Sequence, residues 1–108
     1  MKTHNWTFTA SGTSYEADLS TGQGIDQHIS GLCFDIADFD IEVVGNASAV
    51  TLSATGPFPT SAPFEVADGE FAADGGKKAI NDFTVRVFTF DHAGGGTYTV
   101  NITRRIRN

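Results

Sequence analysis

The stretch Thr97-Tyr98-Thr99-Val100-Asn101-Ile102-Thr103 alternates polar and apolar side chains without a fault. Successive side chains of an extended chain point to opposite faces, so this segment reads as a strand with one wet and one dry face. The same period of two recurs upstream. Trp6, Phe8 and Ala10 alternate with Asn5, Thr7 and Thr9, and Tyr15, Ala17 and Leu19 alternate with Ser14, Glu16 and Asp18. Phe39, Ile41 and Val43 alternate with Asp38, Asp40 and Glu42, and Val50, Leu52 and Ala54 with Thr51, Ser53 and Thr55. Glycines punctuate the chain between these stretches, as turns between short strands require. No window keeps apolar residues at i, i+3 and i+4 over three turns, so no helix is expected. The reading is all-β: a single antiparallel β-sandwich domain over residues 1–108, with about eight strands, immunoglobulin-like or jelly-roll.

Other segments are less regular. Leu32, Phe34 and Ile36 share a phase that slips at Ala37-Asp38 before Phe39, as a β-bulge or tight bend would produce. Pro57, Pro59 and Pro63 cannot lie in a central ladder, so they mark an extended loop or a crossing between sheets ahead of a short strand at Phe64 and Val66. Residues 67–81, with Asp68-Gly69 and Asp74-Gly75-Gly76, read as turn and loop. Residues 82–90 read as one strand that breaks its own pattern. Phe83, Val85 and Val87 make one apolar face, while Phe88 and Phe90 share the other with Thr84 and Arg86. Either a bulge near Val87-Phe88 (or a covering proline loop) buries both rings, or Arg86, Phe88 and Phe90 form an exposed aromatic patch that marks a partner interface.

With 108 residues the chain can bury a real core as one domain. Its formal charge of −6 argues against a nucleic-acid partner. That charge is unevenly spread, at −10 over residues 1–74 and +4 over residues 75–108. Either strands of the two segments interleave and neutralise one another, or the basic Arg104, Arg105 and Arg107 meet an acidic face of a second copy head to tail. Three arginines at one tail supply too few phosphate contacts for nucleic acid. No apolar run is long enough to cross a bilayer and none resembles a signal peptide, so no membrane partner is expected. A cytoplasmic protein, or one that enters a particle assembled there, is the expectation; a domain of a secreted parent is the alternative. Sequons at Asn5, Asn46 and Asn101 read as chance matches in a threonine-rich chain.

Recognisable catalytic machinery is missing. His4, His28 and His92 lie far apart, no G-x-S-x-G elbow occurs, and the lone Cys33 has no basic neighbour and reads as structural. Gly94-Gly95-Gly96 precedes a strand and reads as a hairpin loop, not a phosphate loop. The best candidate for a metal is the acidic cluster Asp35, Asp38, Asp40 and Glu42, which calcium would have to bridge with help from Asp68, Glu70 or Asp74. Alternate carboxylates on a strand stand roughly 7 Å apart, which favours a solvated acidic face. No other cofactor is expected. Gly96-Thr97-Tyr98-Thr99-Val100-Asn101-Ile102 resembles a G-x-Y-x-V-x-I ending found in many bacterial β-sandwich modules, which implies a sandwich and no particular activity.

The expected function is a non-catalytic structural or interaction module, a homo-oligomer or part of a larger assembly such as a phage-like particle or an appendage. The alternative is a glycan partner, through a carbohydrate-binding module that would use calcium or exposed aromatics. Against it, Trp6, Tyr15 and Tyr98 are all in phase with the dry face.

Overall fold

The computed structural model describes residues 2–25, 35–58 and 60–106, with no helix among them. Eight strands follow one another: β1 (Lys2–Ser11), β2 (Ser14–Asp18), β3 (Ala37–Val44), β4 (Val50–Thr55), β5 (Pro63–Phe71), β6 (Gly76–Phe83), β7 (Val87–His92) and β8 (Thr97–Ile106). They form two four-stranded antiparallel sheets, β1-β8-β3-β6 and β2-β7-β4-β5. Four pairings join strands as a folded ribbon would: β1 with β8, β2 with β7, β3 with β6, β4 with β5. Rolling that ribbon adds β3 against β8 and β4 against β7. The result is a jelly roll, not the four-plus-three arrangement of an immunoglobulin domain.

Inward residues of both sheets interdigitate. Trp6, Phe8, Phe39, Ile41, Val100 and Ile102 come from the first sheet, and Leu52, Phe88 and Phe90 from the second. The ring of Phe39 meets Phe88 edge to face at 5.1 Å, and Phe8 meets Phe90 at 6.1 Å. Such pairs combine large buried area with favourable quadrupole geometry across the sandwich.

Three readings of the sequence need correction. Residues 67–81 are not a loop: most of them belong to β5 and β6, joined by a short turn at 72–75. Residues 82–90 are not one strand. β6 ends at Phe83 and β7 starts at Val87 in the other sheet, so the broken pattern is the chain changing sheets at 84–86. The slip at Ala37-Asp38 does coincide with an irregular register between Ala37 and Phe39, but the extra residue is on β6. There Asp82 takes a positive φ of 63° and its N–H donates to Asp38 Oδ1 at 3.1 Å. Ile36 stays exposed ahead of β3, whereas Leu32 and Phe34 lie outside the described residues. The segment carrying the prolines links β4 and β5, neighbours within one sheet, and so is no crossing between sheets, and Pro63 opens β5.

Candidate functional site

The residues expected to form an interface lie mostly inside the molecule. Phe88 and Phe90 are 0% exposed core members, so there is no aromatic patch beside Arg86. This corrects the patch reading, and the rings return to the core through the sheet change instead of a bulge near Val87. Arg104 is fully buried on the inward face of β8 and presents no charge to a neighbour. Arg107 lies outside the described residues, as do His28 and Cys33.

The two charge segments interleave. Arg105 on β8 donates to Asp40 Oδ2 on β3 at 2.6 Å. Lys77 on β6 lies 3.8 Å from Glu42 on β3, whose Oε1 also accepts from Asn101 Nδ2 at 2.9 Å. Arg86 donates to Asp18 Oδ2 at 3.2 Å. Burial pulls the Asp18 carboxyl up, but hydrogen bonds from the Ser20 hydroxyl and the Ser20 and Thr21 N–H groups, with the Arg86 charge, hold it below the ordinary carboxylate value. Lys77, Arg86 and Arg105 of the basic segment thus find acids within the same chain, so Arg105 is already paired where head-to-tail contact would use it.

Among the described residues the acidic cluster is not gathered as a metal site would require. Among the described residues no group of three or more His, Cys, Asp or Glu side chains could hold an ion. Asp40 and Glu42 are instead engaged by Arg105, Asn101 and Lys77 in a cleft of about 460 Å³ on the outer face of the first sheet. Among the described residues no aromatic ring lines this cleft, so they offer no stacking platform for a sugar there. Trp6 and Tyr98 are buried; burial, with the charge of Asp91 and with Tyr15, pushes the Tyr98 phenol up to about 12. His92 is also buried, with its ring 5.0 Å from Tyr98 and its Nε2 accepting from the Ser48 N–H at 3.3 Å. Ile36, Val44 and Phe58 are exposed, but they sit at different places along the fold and are unremarkable as single residues.

What distinguishes the surface is its sheet edges. An edge strand carries unpaired N–H and C=O groups, and most proteins blunt it with charge, proline, bulges or a covering segment. Three of the four edges here are blunted. β6 carries Lys77 and Lys78 and the bulge opposite Asp38. β5 begins with Pro63, carries Glu65 and Glu70, and loses register against β4 between Thr51 and Ser53. Its Gly69 is held so tightly that a Cβ would lie 2.8 Å from the Val66 carbonyl oxygen. β2 is only five residues long and is covered by the chain that follows it. There the Asp18 N–H donates to the Gln23 carbonyl at 2.8 Å, the Tyr15 hydroxyl donates to the Gly24 carbonyl at 2.6 Å, and a Cβ on Gly24 (φ +78°) would strike the Glu16 carbonyl.

Among the described residues, β1 shows none of these devices from Thr3 to Ser11. It runs ten residues in unbroken register with β8, and from Thr3 to Ser11 it holds no acid, lysine, arginine or proline. Its exposed residues are Thr3, Asn5, Thr7, Thr9 and Ser11, with Trp6, Phe8 and Ala10 buried between them. The exposed row continues a polar ladder from β8: Thr7 Oγ1 donates to Asn101 Oδ1 at 2.7 Å and Thr103 Oγ1 to Asn5 Oδ1 at 2.9 Å. Among the described residues no strand pairs with the far side of β1. A cleft of about 500 Å³ lies beside that side, between Thr7, Phe8 and Thr9 and the covering segment at Gly24 and Ile25. The uncharged polar row of β1 was present in the sequence, but its position at an edge was not.

No protein-family model and no curated protein matches the sequence. Among solved structures the chain is similar to a protein of the Bacillus endospore appendages, which form a family of disulfide-linked pili. The two share 12% identity at a TM-score of 0.55, over 99% of this chain and 88% of that one. A family 29 carbohydrate-binding module aligns more loosely, at 12% identity and a TM-score of 0.47 over 95% and 79%. The first likeness shows a shared fold, and the second is too loose to carry an argument.

Proposed function

We propose that this protein is a non-catalytic structural module that assembles with copies of itself through an open sheet edge. The observation that carries the reading is the contrast among the four edges: three are guarded and, among the described residues, β1 is not. A long regular edge without charge is a template for another strand, and a chain that guards three edges leaves the fourth for pairing. The apolar side chains contribute less, because the large ones are in the core and the exposed ones are scattered. The similarity in fold to a protein of the Bacillus endospore appendages, which form disulfide-linked pili, supports this reading.

Sedimentation equilibrium from micromolar to millimolar concentration, with a thiol reductant present, tests this reading. Copies of a −6 chain repel at long range, and added salt screens that repulsion. Association through backbone pairing therefore holds or strengthens as salt rises. Association that dissolves with salt would instead point to arginine–carboxylate contacts. A strict monomer under every condition contradicts self-assembly altogether.

A further inference from the structure

The self-assembly reading leaves open which strand meets β1, and the register of the edge answers it. In an antiparallel ladder, residue pairs alternate between exchanging hydrogen bonds and not. The register of β1 with β8 continues to Gly12, whose N–H donates to the Gly96 carbonyl at 3.2 Å. Counting back in steps of two, the residues of β1 that bond to β8 are Ala10, Phe8, Trp6, His4 and Lys2. The N–H and C=O groups of Thr3, Asn5, Thr7, Thr9 and Ser11 therefore face the open side. These are the same residues whose side chains form the exposed uncharged row.

We propose that β1 pairs antiparallel with β1 of a second copy about a two-fold axis at Thr7, joining the two sheets into one of eight strands. With Thr7 opposite Thr7, Asn5 faces Thr9 and Thr3 faces Ser11 of the other copy. This register uses every outward N–H and C=O from Thr3 to Ser11 in both copies, whereas a shift of two residues in either direction leaves some unpaired. It sets hydroxyl and amide side chains opposite one another with no like charges in contact, although the chain as a whole is acidic. On the inner face it places Trp6 opposite Phe8, an aromatic cross-strand pair at the seam. Among the described residues, the cleft beside Thr7 and Thr9 leaves space on that side of the strand. A second copy fits better than an arbitrary strand because the pattern is complementary to itself, which is the requirement of a two-fold interface.

This inference rests on the self-assembly reading, and two sets of variants separate the two. Thr7→Lys places lysines face to face at the axis, on an exposed position that keeps its inward neighbours unchanged. Thr7→Lys and Thr7→Glu are each expected to be folded monomers by circular dichroism and sedimentation, and an equal mixture is expected to recover the dimer. If Thr7→Lys associates as the parent does, the β1 edge is not the interface and both readings of it fall.

The register is tested by oxidation of single cysteines in a Cys33→Ser background. Bonded antiparallel pairs stand about 5.5 Å apart at Cα, within reach of a disulfide. Thr7→Cys is expected to cross-link to itself. Thr3→Cys alone is not, since its two copies would lie about 27 Å apart along the seam. A mixture of Thr3→Cys and Ser11→Cys is expected to yield a heterodimer. Self-cross-linking of Thr3→Cys without that of Thr7→Cys, in a protein whose association Thr7→Lys still abolishes, overturns the register and leaves the edge in place.

Discussion

Replacing Phe88 with alanine is expected to lower the free energy of unfolding by about 3–5 kcal/mol, the range for deleting a fully buried phenylalanine. The ring packs edge to face on Phe39 at 5.1 Å, and its neighbours across the sheet are Ala17 on β2 and Ala54 on β4. Those two small residues make the room that the ring fills, and neither can close over the void that alanine would leave. A domain of this size has a total stability of roughly 5–15 kcal/mol, so such a loss would be visible in any denaturant titration. A residue serving an exposed interface would behave in the opposite way. Its alanine variant would keep the monomer's unfolding midpoint and lose association, and that outcome would contradict the burial described here.

The second large effect is expected at Asp18. Its Oδ1 accepts from the Ser20 hydroxyl at 2.7 Å, the Ser20 N–H at 2.9 Å and the Thr21 N–H at 3.2 Å, while Oδ2 accepts from Arg86. This one carboxylate ties the end of β2 to the segment where the chain changes sheets between β6 and β7. Asp18→Ala orphans three donors in a mostly buried place and strips Arg86 of its counter-charge, at a cost of about 2–3 kcal/mol. The pH dependence follows from the same contacts. Because the folded carboxyl is held below its ordinary value of 3.8, the unfolded chain takes up a proton first as pH falls. Stability from this group is complete above that value and is lost progressively below it. Asp18→Asn removes this part of the acid loss, so urea midpoints of the parent and the variant are expected to converge as pH drops below about 4. Parallel acid profiles would show that Asp18 does not supply it.

Strands whose one face is dry were legible in the sequence. β1, β3, β4 and β8 alternate cleanly because each buries one side against the opposite sheet. β6 was not legible, because an edge strand at the margin of the core buries little: Ile80 is its one buried residue. The first part of β5 was legible at Phe64 and Val66, but its continuation was hidden by Asp68-Gly69, which reads as a turn and is in fact an irregularity within the strand. The sequence left Phe88 and Phe90 open between core and surface, because a single phase over 82–90 sets them beside Arg86, while the chain changes sheet, and so resets phase, at 84–86. The charge asymmetry was visible, but its resolution was not, because pairing of β3 with β6 and β8 is a long-range event that brings Glu42 to Lys77 and Asp40 to Arg105. The same holds for the edge. A threonine-rich outer face is ordinary on an interior strand and acquires meaning only when the topology leaves the strand without a second neighbour.

Residue-resolved amide hydrogen exchange at low and high protein concentration tests the open edge most directly. The Trp6, Phe8 and Ala10 amides, bonded to β8, are expected to be protected at every concentration. The Thr3, Asn5, Thr7, Thr9 and Ser11 amides are expected to exchange freely when the protein is dilute and to become protected together as it is concentrated. If those five amides exchange freely at high concentration while the protein is associated, the copies do not meet at β1 and the account is wrong.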